Sequence, residues 1–427
     1  MRPEARIQSA IDLLDRILQE SEVPADRIAQ DYFRHNRYIG SHDRNSVGDL
    51  VYRVLRNYPQ LAWLDTDSNA RRAVLLHLYR HEDHDVAKLK ETFCGGQYNP
   101  SPLTPGEINL LQRSSEATDM PLWASLSIPE WLCSHFEDSF GADSFQNEIT
   151  ALNNKATVDL RVNSLRNTRQ IVLELLQAEN IPAIPTPFSP LGIRLLTRVP
   201  FGNHPLWKDG TLEAQDEGSQ MISLLCDAKP GMVVLDYCAG AGGKSLAMAA
   251  SMNNKGRLVA TDIFDWRLNR AKERFKKAGI DNTECRLLTE EKGWLKRQQG
   301  KFDRVLVDVP CSGTGTWRRN PDLKIRFQEQ DLLEIIQKQQ EIMTAAAKMV
   351  KLGGRLIYAT CSLLRSENHR QIETFISNNP EFSLIPIQDV WQEVLGSDCP
   401  SEGPMLQLTP AQHNMDGFFV AVMKKTA

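Results

Sequence analysis

The sequence predicts an α/β protein built on a doubly wound parallel sheet, with an all-helical region ahead of it. Three observations carry that prediction. After Lys229-Pro230-Gly231, strand-like apolar runs alternate with helical segments, the pattern of a parallel sheet covered on both faces. A glycine-rich turn at residues 236–245 joins the first of those strands to a helix. The first ninety residues, in contrast, show helical spacing throughout. At 427 residues the chain exceeds one ordinary domain of roughly 100–200 residues.

The elements follow in order. Ile7, Ala10, Ile11, Leu14, Ile17 and Leu18 recur at helical spacing, as do Val47, Leu50, Val51, Val54 and Leu55, so residues 6–91 read as helices. Gly95–Gly106 is dense in Gly and Pro and reads as a loop or linker. Short helical segments continue to about residue 150. Val158–Asn163 reads as a strand, 167–179 as a helix, followed by short strands with Pro-rich connections. The main strands are expected at Met232–Tyr237, Arg257–Thr261, Glu284–Leu288, Arg304–Val309 and Arg355–Thr360. Between the second and third, Leu268, Ala271, Phe275 and Ala278 mark one face of a helix from Asp265 to Ala278, stopped by Gly279. The expected domains are 1–145, 146–225 and 226–427.

Composition excludes several classes. Hydrophobic residues at 41% and charged residues at 24% rule out wholesale disorder. No apolar run reaches the roughly 18–20 residues that span a bilayer, and the charged N-terminus lacks a signal-peptide core. A cytoplasmic protein with no membrane partner is expected. Net charge is −4, but unevenly spread. Residues 1–150 carry 15 basic and 23 acidic groups, net −8, whereas residues 251–350 carry 20 and 14, net +6. Contact with a polyanion would therefore need a shaped, locally positive surface in the C-terminal part. The eight cysteines are never closer than twelve positions, so there is no CxxC clip. No metal is expected, and a disulfide framework is not.

The turn Asp236–Ser245 (DYCAGAGGKS) nearly fits two other motifs. A P-loop needs glycine where Cys238 stands, and a dinucleotide GxGxxG needs it at Ser245. An acidic strand end followed by a tight glycine cluster suits S-adenosylmethionine, whose amino-acid moiety is held by backbone amides. Asp262 ends the next strand, where a carboxylate can accept from both ribose hydroxyls. The alternative is a plain glycine turn and a solvated Asp.

Asp308-Val309-Pro310-Cys311 ends one strand and Thr360-Cys361-Ser362 the next. Strand ends of this kind open on the ligand crevice. Both cysteines are either buried strand-end residues or nucleophiles. A thiolate attacks an electron-poor carbon, and C6 of a pyrimidine is such a carbon. Attack there makes C5 able to take a methyl group, and Asp308 beside Cys311 could bond the N3/N4 edge of the base.

These stretches, with 258–270 (LVATDIFDWRLNR), 302–322 (FDRVLVDVPCSGTGTWRRNPD), 353–362 (GGRLIYATCS), Glu367-Asn368, Met415–Val420 and Gln215–Gln220, resemble the NOL/NOP/Sun family of RNA 5-methylcytosine methyltransferases from roughly Asp159 to the C-terminus. The resemblance implies a Rossmann-like class I methyltransferase domain preceded by a small α/β RNA-recognition subdomain. It implies Cys361 as the C6 nucleophile, Cys311 as the residue that assists release of the methylated base, and Asp308 facing the cytosine. The cofactor site it implies comprises Asp236, Cys238, Ala239, Gly240, Ala241, Gly242, Gly243, Lys244, Asp262, Arg267 and Asp308, with Lys244 also approaching the substrate and Cys238 packing rather than reacting. Two departures stand out. Ala241 replaces a proline common in the family, and Arg286–Glu291 lacks the Asp that usually reaches the adenine side, leaving Thr289 or Glu290 for that place.

Arg44–Asn57 resembles the NusB-like helical domain of the ribosomal RNA small subunit methyltransferase B group, usually an RNA-binding accessory. The alternative is a helical scaffold with a solvated charged face. RNA contacts are expected from Arg161 and Asn163 in the small subdomain. Arg318, Arg319 and Lys324 are expected to add to them just after the PCSG loop, because guanidinium groups bind phosphates and stack on splayed bases. The resemblance thus implies a monomeric enzyme acting on a cytosine of RNA, with small-subunit ribosomal RNA as the leading substrate. A tRNA substrate and a non-catalytic ribosome-assembly factor are the other readings.

Overall fold

The computed structural model describes residues 1–197, 199–289 and 292–427, with the Lys292 side chain left aside. The chain forms two compact units. One comprises Met1–Lys155 and Thr316–Glu329, the other Ala156–Gly315 and Gln330–Ala427. The boundary expected near 145 falls ten residues later, and the C-terminal part is not continuous.

The first unit is helical. Helices at Pro3–Gln19, Ala25–His35, Ser41–Leu64 and Ala70–His81 bury Leu13, Leu14, Val51, Val54, Leu55, Leu75 and Leu76 in one apolar core. The Gly/Pro-rich loop ends in a capping box: Thr104 Oγ1 accepts from Glu107 N, and the Glu107 carboxylate accepts from Thr104 N. That satisfies two orphan donors of the helix Pro105–Glu116.

Residues 316–329 are part of this unit's interior. Trp317 is 1% exposed and meets the Phe136 ring edge-on at 5.4 Å. Lys324 Nζ donates to Arg56 O (3.0 Å), Ser127 O (2.9 Å) and Asn153 Oδ1, one acceptor for each ammonium proton. Burial pulls its pKa down to about 7. Arg318 Nη2 donates to Lys155 O, and Asp322 accepts from Ala25 N and Arg326 Nε. Lys324 and Arg318 are each 4% exposed. The expectation that they meet RNA is corrected here: their polar groups are turned inward and spent on backbone carbonyls. Arg319 is half-buried.

The second unit holds two sheets. Strands β1 (Val158–Val162), β2 (Ala183–Pro185), β3 (Gly192–Leu195) and β4 (Leu212–Ala214) form an antiparallel sheet in the order β2-β3-β1-β4. The larger sheet contains β5 (Val233–Asp236), β6 (Arg257–Asp262), β7 (Thr283–Leu287), β8 (Phe302–Asp308), β9 (Val350–Thr360), β10 (Phe382–Ile385), β11 (Leu406–Leu408) and β12 (Phe418–Lys425). Its order is β10-β12-β9-β8-β5-β6-β7, with β11 beside β12. The pairs among β5–β9 are parallel, and β12 is antiparallel to β9. Strands buried on both faces read as continuous apolar runs, as Val305-Leu306-Val307 and Leu356–Ala359 do. From β5 the chain winds outward to β6 and β7, then crosses back to β8. The switch point therefore lies between β5 and β8, where such sheets bind ligands.

Arg161 and Asn163 lie inside this unit. Arg161 donates to Gly243 O (2.8 Å) and to Gln215. Asn163 donates to Gly210 O (3.1 Å) and Ala278 O (2.9 Å). Both are buried, so they tie the small sheet to the helices Gly243–Ser251 and Asp265–Ala278 instead of facing outward to RNA. Among the described residues no helix is long and apolar enough to cross a membrane, and no group of metal-ligating side chains occurs.

Trp317→Ala should destabilise the helical unit by about 3–5 kcal/mol, the usual cost of emptying a large aromatic site. Thermal unfolding followed by the helical circular-dichroism signal measures it, and an unchanged midpoint would detach residues 316–329 from that core.

Candidate active site

The glycine turn is set by sterics. Gly242 has φ +77°, and a Cβ there would sit 2.8 Å from Ala271 Cβ and 2.9 Å from the Phe275 ring, so only glycine fits. The chain then enters the helix Gly243–Ser251. Gly240 has φ +54°, and a Cβ added there would meet nothing within 4 Å, which leaves its backbone open to a ligand. Ala239 N donates to Thr261 O, and Arg274 Nη1 to Ala241 O, so the turn is tied to β6 and to the helix Asp265–Ala278.

Two carboxylates flank the turn. Asp236 is buried; one oxygen accepts from Ser245 Oγ at 2.6 Å and the other, Oδ1, has no protein partner. Burial raises its pKa to about 7. Asp262 accepts from Gly240 N (3.0 Å) through one oxygen and Phe264 N (2.8 Å) through the other, which fixes its plane while leaving lone pairs free. Arg267 Nη1 is 3.8 Å from Asp262, and its guanidinium lies against the Phe264 and Trp266 rings. Thr289 is exposed beyond β7; Glu290 lies outside the described residues.

Lys244 and Asp308 meet across the switch point at 2.7 Å. Burial pushes the ammonium pKa down, but the Asp308 carboxylate more than offsets it and the net shift is upward. Lys244 therefore stays charged. Cys238 packs against the apolar cluster around Leu235 and Val307, and burial pushes its thiol pKa up.

The two strand-end cysteines are neighbours. Parallel pairing of β8 and β9 sets Asp308 opposite Ala359, and Val309 N donates to Ala359 O. The loops that follow bring Cys311 Sγ to 3.3 Å from Cys361 Sγ. The hydrogen bond with Cys361, then burial, raises the Cys311 thiol well above its ordinary range. Sequence reasoning gave no role to the groups beneath them. Glu367, 0% exposed, accepts from Ser312 N (2.8 Å) and Oγ (2.5 Å), from Ser362 Oγ, and from Gln339 Nε2 (2.9 Å). The sole sequence signal was a Glu-Asn pair shortly after the second cysteine.

Comparison with known proteins gives the family. The family model "16S rRNA methyltransferase RsmB/F" matches residues 223–424, and the model for the RsmF/B-like ferredoxin-like domain matches residues 128–202. The ribosomal RNA small subunit methyltransferase B of Yersinia enterocolitica is 32% identical over 91% of this chain and 92% of its own length. This chain belongs to the RsmB/F methyltransferase family. A probable ribosomal RNA small subunit methyltransferase B of Bacillus subtilis is 30% identical over 96% of both chains. A methyltransferase homolog protein from Pyrococcus horikoshii superposes with a TM-score of 0.59 at 25% identity, covering 76% of this chain and all of that one.

The methyl donor of this RsmB/F member is S-adenosylmethionine. The residues present suit it: the unpartnered Asp236 Oδ1 is an acceptor for a cationic amino group, the open Gly240 backbone admits close approach, and Asp262 has lone pairs left for hydroxyls.

Asp262→Ala should weaken S-adenosylmethionine binding by about 1–3 kcal/mol, the range for hydrogen bonds to a charged group; calorimetry with unchanged affinity would remove Asp262 from the site. Asp236 gives a pH signature. Its folded pKa of about 7 lies above the ordinary 3.8, so the stability it contributes is complete below pH 4 and is lost as pH rises through 7. Urea unfolding between pH 5 and 8 should show the wild type losing about 2–3 kcal/mol that Asp236→Asn retains.

Proposed function

We propose that this protein methylates C5 of a cytosine in small-subunit ribosomal RNA through a covalent bond between Cys361 and C6 of the base. The observation that carries the reading is the pair of thiols 3.3 Å apart, on the separate loops that follow β8 and β9, with the Lys244-paired Asp308 at the end of β8. C5 of a neutral cytosine is a poor nucleophile. Addition of the Cys361 thiolate to C6 breaks the C5–C6 π bond and moves its electron pair toward C5 and N3. The Asp308 carboxylate, kept in place by Lys244, is suited to accept from the N4 amino group and from a protonated N3. S-adenosylmethionine, when bound, supplies the methyl group that C5 takes up. The adduct then loses the C5 proton to a base, and the C6–S bond breaks to restore the double bond and the Cys361 thiolate.

The raised pKa of Cys311 supports a division of labour. Its thiol is held protonated, first by the hydrogen bond it shares with Cys361 and then by burial. Once Cys361 becomes a thioether, the shared hydrogen bond that raises the Cys311 pKa is lost; Cys311 then gives its own proton to water, and the resulting thiolate takes the proton from C5. The base must reach both sulfurs, so the target cytosine has to be unstacked or single-stranded.

The two cysteine variants separate these roles. Cys361→Ala should abolish methylation and give no crosslink. Cys311→Ala should accumulate a denaturant-stable, RNase-sensitive protein–RNA band that depends on S-adenosylmethionine, because adduct forms but elimination slows. The reverse pattern would move the nucleophile to Cys311. Full activity in both variants would sink the covalent mechanism, and bisulfite mapping of ribosomal RNA from cells lacking the protein identifies the cytosine.

A further inference from the structure

The two catalytic loops are held in register from below by one buried carboxylate. Its four hydrogen-bond donors come from three different elements. Ser312, next to Cys311, gives its backbone N–H and its hydroxyl. Ser362, next to Cys361, gives its hydroxyl. Gln339, on the helix Glu329–Ala347, gives an amide N–H. These donors fill the acceptor sites of an ionised carboxylate. Glu367 is itself fixed: its carbonyl accepts from Tyr358 OH at 2.7 Å, on β9. Gln339 is held in turn, donating also to Pro310 O and accepting from Gln371. The neighbouring hydroxyls close the cluster, with Ser312 Oγ 3.1 Å and Thr314 Oγ1 3.2 Å from Ser362 Oγ, and Leu363 N donating to Thr314 Oγ1.

A buried carboxylate is costly, and an apolar filler of the same volume would pack more cheaply. What an apolar filler cannot do is take directional bonds from both loops at once. Each sulfur sits one residue from a serine that ends on the same carboxylate. The separation of the two sulfurs is thus set by how far apart two hydroxyls can be while sharing Glu367.

We propose that Glu367 is the positioning residue of the cysteine pair, holding Cys311 and Cys361 at reacting distance without touching the substrate. This rests on the two-cysteine reading above. Glu367→Gln keeps the shape but swaps one acceptor oxygen for an N–H donor facing donors. Turnover should fall about 30–300-fold, the scale of a misplacement near 1 Å. S-adenosylmethionine affinity and the KM for RNA should stay within about twofold.

A second readout does not depend on activity. Hydrogen peroxide takes two electrons and two protons from the adjacent thiols, forming a disulfide and two waters. The wild type should lose two more titratable thiols than Cys311→Ala does, and Glu367→Gln should lose them at least tenfold more slowly. Ser362→Ala, which removes only one of the four donors and leaves the carboxylate in place, should shift both readouts in the same direction by less. It serves if the Gln variant fails to fold. Wild-type turnover in a folded variant, or turnover that falls together with cofactor affinity, would overturn the proposal. So would an unchanged oxidation rate. Failure of the nucleophile reading itself would show instead as full methylation by Cys361→Ala.

Discussion

Parallel pairing of β8 with β9 is the constraint on which the site depends. The two strands share a register in which Asp308 stands opposite Ala359, so the residues that follow each strand emerge side by side at the same edge of the sheet. Cys311 and Cys361 are fifty residues apart in sequence, and this register brings their loops to the same end of the sheet. The same edge receives the helix that starts after the glycine turn on β5, and with it Lys244 opposite Asp308. A slip of one residue between β8 and β9 would turn alternate side chains to the other face. The pairing is protected against that by apolar residues packed on both faces of both strands.

Three buried ionisable groups solve desolvation in different ways. Glu367 and Lys324 are both surrounded by hydrogen-bond partners that carry no full charge: donors for the carboxylate, carbonyl oxygens for the ammonium. In each case the hydrogen bonds offset part of the cost of burying the group. Asp236 is half satisfied: it is buried at the end of β5, one oxygen has no protein partner, and burial raises its pKa.

Local signals carried most of the fold into the sequence. The helix Asp265–Ala278 was legible to the residue, because its apolar face repeats cleanly and Gly279 ends it in the left-handed region at φ +74°. The parallel strands were legible as apolar runs, with ends displaced by at most five residues, most of all at β9, which begins at Val350. The glycine turn, Asp262 and the cysteine pair were legible because strand ends are where ligands bind. The charged residues after the PCSG loop were not. Arg318 and Lys324 look the same in sequence whether water or carbonyl oxygens surround them, and their partners Arg56, Ser127 and Lys155 lie more than 150 positions away. Arg161 and Asn163 misled for the same reason. A basic residue on a short strand gives no local sign that it ties its sheet to a distant helix.

The detour of residues 316–329 into the helical unit bears on how the chain is made. Residues 1–155 are synthesised about 160 residues ahead of Thr316, which at roughly 5–20 residues per second leaves some 8–30 s between them. During that interval the helices Pro3–Gln19 through Ala70–His81 can gather, but the space for Trp317 is empty and the carbonyls of Arg56 and Ser127 have no ammonium to accept from. The unit that begins folding first is therefore completed only after β8 and the Cys311 loop have been translated. Its final packing step arrives on the same stretch of chain that carries Cys311.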